Sequence, residues 1–179
     1  MKVDFADFRT IVLLVDEQKN IVIFPISRTN FPIEFADGSF EEFGYLTAYY
    51  PIELKYPYDT KDLAEKIKYG IEQWDKHPCY QEKLNNMLTF EEKYYGIKGF
   101  KKASKGKLYI RLGWDDIQGK YITLCVPAKK GYAYFGLDDI QLPEDADWFA
   151  FAEEVIKYVN MDITQLDSFK TYENKLNLT

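Results

Sequence analysis

The stretch KLYIRLGWDDIQGKYITLCVPAKKGYAYFGL, from Lys107 to Leu137, decides the fold. It contains three runs of strand-forming residues, separated by two turns that each contain a glycine. In each run, apolar residues alternate with polar or aromatic ones; the first run carries Leu108, Ile110 and Leu112 at every second position. Alternation with a period of two is typical of a strand with one buried face. The stretch therefore predicts a three-stranded antiparallel meander.

A hairpin is predicted near the N-terminus. The apolar runs Phe8 to Val15 and Ile21 to Ser27 flank a polar, turn-like segment. Two such runs around a turn are typical of paired antiparallel strands. Pro25 has no backbone N–H to donate, so we expect the second strand to lie at a sheet edge or to carry a bulge there.

Helices are predicted on both sides of the meander. The segment Asp59 to Lys76 begins with a capping residue and is followed by Pro78, and it carries an apolar stripe. A second helical segment, within Cys79 to Tyr95, starts anew at Thr89 and is stopped by a glycine. The last helix opens at Glu144-Asp145-Ala146-Asp147 and runs to about Val159. The stripe of the first helix consists of Leu63, Ile67, Ile71 and Trp74.

These elements predict one α+β domain over residues 1–160. Its antiparallel sheet has five to six strands, from the N-terminal hairpin and the C-terminal meander, and is packed with two to four helices. A chain of 179 residues is long enough for one domain with a sizeable core. Residues 161–179 are polar, and we expect a tail that is either disordered or a short helix.

The charge distribution bears on the kind of partner. The formal net charge is -6; by residue count, residues 1–60 and 141–179 each carry -5, and residues 61–140 carry +4. An acidic chain is a poor ligand for nucleic acid, because phosphate contacts dominate that affinity. Electrostatics would instead steer it towards basic proteins. For the net charge alone, plain solubility is the better interpretation.

No cofactor or metal site is predicted. Cys79 and Cys125 are far apart, and no CxxC, P-loop, GxSxG or HExxH motif occurs. His77, the sole histidine, is a candidate general base, although no nucleophile motif accompanies it. The N-terminus does not resemble a secretory signal, and no apolar run reaches membrane-spanning length, so we expect a cytoplasmic location without membrane contact.

The segment Arg28 to Tyr58 has no regular periodicity. It contains nine aromatic residues interleaved with five acidic ones. A segment this long and irregular is uncommon in a compact domain unless it has a function. Two interpretations stay open, namely a recognition surface, for which tyrosine is favoured, and aromatic side chains that plug a sheet edge. A second unusual stretch is the lysine-rich loop, whose lysines are Lys98, Lys101, Lys102, Lys105 and Lys107. The absence of arginine here and the acidic remainder of the chain favour a solvated loop over a nucleic-acid-binding patch.

The order of signals from Tyr94 onward resembles one family. It runs from the helix end YGIKGFKK at Tyr95 to Lys102, through the Lys105-Gly106 turn and the three short strands, to IQLPEDA at Ile140 to Ala146. In this order the chain is similar to the immunity proteins of contact-dependent growth inhibition systems, the CdiI-like family of small bacterial proteins. The resemblance covers roughly residues 59–159 and rests on turn and packing residues.

The resemblance implies a cytoplasmic binding protein without catalysis or cofactor. Such a protein neutralises the C-terminal domain of a cognate toxin, commonly a nuclease, by occluding its active site. Tyrosine anchors and a rim of carboxylates would suit a basic toxin. The alternatives are a small enzyme that uses His77 with nearby carboxylates, and a regulatory module that binds another partner. The candidate toxin-binding residues are first Glu41, Glu42, Tyr49 and Tyr50, and second Asp115, Asp116, Asp138 and Asp139.

Overall fold

A seven-stranded antiparallel sheet organises the chain in a computed structural model, which describes residues 9–29, 31–34, 38–41, 44–77, 79, 88–115, 118–127 and 134–177. The strands are β1 (Arg9–Val15), β2 (Ile21–Arg28), β3 (Ile33–Glu34), β4 (Phe40–Glu41), β5 (Tyr45–Thr47), β6 (Ile52–Leu54), β7 (Leu108–Asp115), β8 (Gly119–Pro127) and β9 (Tyr134–Gln141). The main sheet has the order β5-β2-β1-β7-β8-β9, and β6 also pairs with β2. Strands β3 and β4 form a separate small pair.

The helices are α1 (Thr60–Glu72), α2 (Phe90–Tyr95), α3 (Phe100–Ala103), α4 (Trp148–Asn160) and α5 (Asp167–Asn177), with a 3-10 turn at Ile163–Gln165. The predicted α+β class, hairpin and meander are confirmed by this arrangement and by the pairing of β1 with β2 and of β7, β8 and β9. The sheet has more strands than the predicted five to six, because the aromatic segment supplies β5 and β6. No helix in the described ranges is long and apolar enough to cross a bilayer.

Both faces of the sheet are covered, although the alternation in the meander predicts one buried face. Helices α1 and α4 pack on the first face through Leu63, Ile67 and Phe151, against β-strand residues such as Ile11 and Ile110. On the second face, α2 covers a smaller apolar cluster. That cluster consists of Leu14, Val22 and Phe24, with Phe90, Tyr94, Tyr95, Tyr109 and Tyr134 around it. Tyr109 and Tyr134, which lie on the more polar side of the strand pattern, therefore pack against this cluster under α2 instead of facing water.

Helix α1 starts at the predicted cap and ends before Lys76. The Asp59 carboxylate accepts a hydrogen bond from the backbone N–H of Asp62 at 2.8 Å, and the Asp62 carboxylate accepts one from the N–H of Asp59 at 3.2 Å. The helix stops at Glu72 because the following turn bonds to β2. Asp75 has a φ of 56° and donates its backbone N–H to the carbonyl of Ile26 at 2.9 Å.

Replacing Asp59 by alanine is expected to lower the free energy of unfolding by about 1 kcal/mol. The substitution removes the side-chain acceptor for one of the unpaired N–H groups at the start of α1. Urea denaturation of the variant and the wild type measures the difference. An Asp145→Ala change serves as the control, since that exposed acid does not cap a helix. Equal stabilities of D59A and the wild type would contradict the capping role.

The C-terminal residues pack on the sheet domain. After α4, the 3-10 turn and α5 bring Tyr172 over Phe135 of β9, with ring centroids 4.4 Å apart. Tyr172 is buried, and Ser168 donates a hydrogen bond to the Asp138 carboxylate at 2.8 Å. The described part of residues 161–179 is thus largely helical.

Candidate functional site

The candidate site is built around a change of partner along β2. The first part of β2 pairs with β6, where Ile23 lies opposite Ile52, and its last part pairs with β5, where Ile26 lies opposite Thr47. Pro25, which has no N–H, lies between the two pairings. The connection from β5 to β6 therefore turns at this break, over residues 48–51. The expectation that β2 is an edge strand or carries a bulge at Pro25 is wrong. β2 pairs with β1 in an unbroken register on one side and with β5 and β6 on the other. Pro25 is tolerated inside the sheet because it lies where the pairing passes from β6 to β5.

Tyr49 and Tyr50 project from that turn towards opposite faces of the sheet. Tyr49 is 49% exposed, and its ring stacks beside the buried ring of Phe24 with centroids 6.2 Å apart. The ammonium of Lys93 lies 5.8 Å from the centre of the Tyr49 ring. Tyr50 packs instead against the core on the α1 side. One turn thus presents an aromatic side chain on each side of the edge.

On the α1 side, Tyr50 joins a group of polar aromatic side chains. Its ring stacks on the imidazole of His77 with centroids 3.7 Å apart, and its hydroxyl lies 3.0 Å from that of Tyr69. Tyr69 is 42% exposed, and the hydrogen bond with Tyr50 raises its pKa. His77 Nε2 lies 3.2 Å from Gln73 Oε1. These contacts hold Tyr50 in one orientation while Tyr69 faces solvent.

Tyr45 and Trp74 extend the surface along β5. Their rings stack with centroids 5.0 Å apart, and the guanidinium of Arg28 lies 5.8 Å from the centre of the Tyr45 ring. The Tyr45 hydroxyl also accepts a hydrogen bond from Arg28 at 3.3 Å, and this contact raises the pKa of Arg28. Leu46 is 39% exposed beside them. We call the whole set the aromatic edge, which comprises Tyr45, Tyr49, Tyr50, Tyr69, Trp74 and His77.

The predicted aspartates lie elsewhere. Asp139 accepts a hydrogen bond from Thr123 Oγ1 at 2.6 Å, and Asp138, on the opposite face of β9, accepts the one from α5. Asp115 accepts the backbone N–H of Gln118 in the β7–β8 turn. Asp115 and Asp139 share a face of the sheet but lie apart. Asp115 is opposite Gly119 of β8, and Asp139 is opposite Thr123, four residues further along that strand. Strand β9 lies five strand spacings from β5, or roughly 24 Å, so the two predicted groups form no single site.

The remaining predicted residues are only partly placed. Glu41 lies in β4, opposite Ile33 of β3. Glu42 and Asp116 lie outside the described residues. The excursion that contains β3 and β4 leaves and rejoins the sheet at one neck, where Thr29 donates its N–H to the carbonyl of Gly44 at 2.7 Å. Gly44 directly precedes Tyr45, so the segment that contains β3 and β4 rejoins the sheet next to the aromatic edge.

Sequence reasoning missed two members of the aromatic edge. Tyr69 lies on the polar side of the α1 pattern, and Trp74 was assigned to its apolar stripe. Trp74 is half-buried, and its indole Nε1 has no hydrogen-bond acceptor among the described residues. The contact of Tyr69 with Tyr50 depends on the fold, because α1 ends at Glu72 and helical spacing does not extend to His77.

His77 and Cys79 are the types of side chain at or beside the aromatic edge that could take part in chemistry. In the described part of the chain, no three histidine, cysteine or acidic side chains are grouped as metal ligands. Cys79, two residues after His77, has its Sγ 3.5 Å from the carbonyl of Leu46, and burial raises the pKa of this thiol. A raised pKa disfavours the thiolate, the reactive form of cysteine.

The stability of the protein is expected to fall on mild acidification because of His77. Burial, aided by the charge of Lys76, lowers the pKa of His77 below its usual 6.5. The imidazole of His77 therefore binds a proton more readily in the unfolded chain than in the folded one. Its contribution to the free energy of unfolding is fully present above about pH 6.5 and is lost as the pH falls through the folded-state pKa. Urea denaturation between pH 7 and 5 measures it. His77→Phe, which keeps a ring for stacking on Tyr50, should lose less stability over this range; equal losses would contradict the assignment.

No protein-family model matches the sequence, and no curated protein matches it. The fold is nevertheless shared with a solved structure, a protein of unknown function from Neisseria meningitidis. The two chains are 12% identical and superpose with a TM-score of 0.51 over 89% of this chain and 98% of that chain.

A second solved structure is the CdiA-CT/CdiI toxin and immunity complex from Yersinia pseudotuberculosis. The matching chain of that complex is 9% identical to this chain and gives a TM-score of 0.48, over 83% of this chain and 94% of that one.

Proposed function

We propose that this chain is an immunity-type protein that binds a toxin domain in the cytoplasm and neutralises it by covering its active site. The observation that carries the proposal is the aromatic edge. Tyr49 and Tyr69 are 49% and 42% exposed, yet neighbouring rings hold this surface in place. Rigid, partly exposed tyrosines are the typical anchors of protein interfaces, because they bury a large area at a small cost in side-chain entropy.

The charge of the chain supports a basic partner. The net charge is -6, and acidic side chains predominate in residues 1–60 and 141–179. A nuclease that accepts phosphate in its active site presents positive charge there. Complementary charge would speed association and favour such a toxin over acidic proteins. We therefore propose that the toxin domain is a nuclease.

Binding rather than catalysis is proposed for the aromatic edge. The imidazole of His77 is stacked on Tyr50 and bonded to Gln73, and the Cys79 thiol has a raised pKa. A general base needs a substrate proton within hydrogen-bond reach. Replacing His77 by alanine tests the enzymatic alternative, since an activity that vanished with H77A would restore it.

Growth rescue tests the proposal. The toxin domain would be the C-terminal domain of a large toxin encoded directly upstream of this chain, expressed from an inducible promoter. Co-expression of this chain should restore growth and should co-purify the domain. A regulatory module for another partner would leave growth inhibited, and that result would remove the immunity proposal.

A further inference from the structure

A cleft of about 860 Å³ lies at one end of the sheet, away from the aromatic edge. Its walls come from four parts of the chain: the β1–β2 turn, the α3–β7 turn, the end of β8, and the segment from the end of α4 into α5. These parts are distant in sequence and meet only in the folded domain. A volume of this size falls in the range of roughly 300–1,000 Å³ that is usual for small-molecule sites.

The floor of the cleft is apolar. Val15, Leu108 and Val126 reach it from the ends of three neighbouring strands, and all three are buried. Phe169 and Tyr172 of α5 line the opposite side. An apolar floor with a few charged groups around it is typical of a site for a molecule with an apolar body.

Several charged groups at the cleft already have partners. Lys19 donates a hydrogen bond to Asn160 Oδ1 at 2.7 Å, and the Asp16 carboxylate accepts two from Asn20. Asp162 accepts hydrogen bonds from the backbone N–H and the hydroxyl of Thr164, which lower its pKa. These contacts tie the cleft walls together, so these groups are less available to a ligand.

Three lysines of the lysine-rich loop line the cleft. Lys107 lies 4.0 Å from the centre of the Tyr95 ring, and burial lowers its pKa. Lys101 and Lys105 are exposed, and in the described ranges no carboxylate lies within ion-pair distance of either. Lys101 of α3 and Lys105 of the following turn both line the cleft, whereas Lys98 and Lys102 do not. The lysine-rich loop thus directs two uncommitted positive charges to the rim of an apolar cleft.

We propose that this cleft binds an amphipathic anion, an apolar body with one acidic head group, whose head lies against Lys101 and Lys105. The body lies on the floor between the strand ends and α5. Two glutamates also line the cleft: Glu173 of α5, which repels the head group from that side, and Glu17, which lies beside Gly106. The head group therefore lies where both lysines reach it and away from the two carboxylates. This site is independent of partner binding at the aromatic edge.

The test uses two fluorescent probes that share one aromatic body: anilinonaphthalene sulfonate, which is anionic, and N-phenylnaphthylamine, which is neutral. Both are titrated into the wild type and into Lys101→Met with Lys105→Met. The double variant is expected to bind the anionic probe roughly fivefold to tenfold more weakly and the neutral probe unchanged. Decanoate should displace the anionic probe from the wild type.

The matched control is Lys98→Met with Lys102→Met, which removes the same charge from the same loop outside the cleft. It should bind both probes like the wild type, and circular dichroism checks that all variants are folded. Glu173→Gln should bind the anionic probe more tightly. Equal losses in the two lysine pairs, no preference for the anion, or no saturable binding would each overturn the proposal.

Discussion

Replacing Phe24 by alanine is expected to lower the free energy of unfolding by about 3–5 kcal/mol. Phe24 is 0% exposed and is the centre of the aromatic cluster on the second face of the sheet. Its ring centroid lies 4.9 Å from that of Phe90 and 5.9 Å from that of Tyr94, both on α2. The substitution removes these contacts and leaves a cavity under α2 that the rigid strands β1 and β2 cannot close.

Urea denaturation followed by circular dichroism measures the change. The matched control is Phe149→Ala, because Phe149 is 46% exposed on α4 and its loss should change the stability by no more than about 0.5 kcal/mol. F24A should also increase the mobility of Tyr49, which stacks beside Phe24. A loss below about 1.5 kcal/mol would mean that α2 does not depend on this ring and that the second face is less well packed than described.

Replacing both Tyr49 and Tyr50 by alanine is expected to weaken toxin-domain binding by about 2–4 kcal/mol, or roughly thirtyfold to a thousandfold. Tyr49 contributes its exposed ring directly. Tyr50 holds Tyr69 through the hydroxyl contact at 3.0 Å, so its removal also frees an exposed ring. Loss of two anchors on both sides of one turn removes the apolar centre of the proposed interface. Isothermal titration calorimetry with the purified toxin domain measures the affinity.

Tyr56→Ala is the matched control for that experiment. Tyr56 is 52% exposed, nearly the same as Tyr49, but packs on Tyr58 outside the aromatic edge. It should bind the toxin domain like the wild type. An equal loss in Y56A, or unchanged affinity in the double variant at unchanged stability, would place the interface elsewhere, for instance around Asp115 and Asp139.

The regular elements were predictable from the sequence because their signals are local. The alternation from Lys107 to Leu137 and the cap at Asp59 depend only on neighbouring residues. Strands β5 and β6 fall within the run Tyr45 to Leu54, where the sequence admits a strand broken by Pro51. Their pairing was not predictable, since each has three residues and is held by β2 on either side of Pro25. That α2 covers the second face of the sheet was not predictable for a similar reason. A helix as short as α2 is held by its tertiary contacts, chiefly with Phe24 and the Tyr134 hydroxyl, which donates to Glu91.

The site was predictable in part. Tyrosine content singled out Tyr49 and Tyr50, and both belong to the aromatic edge. Whether the second set of candidates, the aspartates, lies near these tyrosines was not predictable, because a sequence does not reveal the order of strands in a sheet. That order places β9 and β5 at opposite ends of the sheet. The alternation of side chains along β9 turns Asp138 and Asp139 towards opposite faces. Tyr69 joined the site only through the fold, which brings α1 beside the β5–β6 turn.

The most direct test of the central claim is a binding titration of the purified chain with the purified toxin domain at low and at physiological salt. We expect a 1:1 complex whose affinity weakens as the salt concentration rises, because an acidic chain binds a basic partner. The toxin activity should disappear at one equivalent of this chain. The absence of a complex at micromolar concentrations, or a complex that leaves the toxin fully active, would contradict the account.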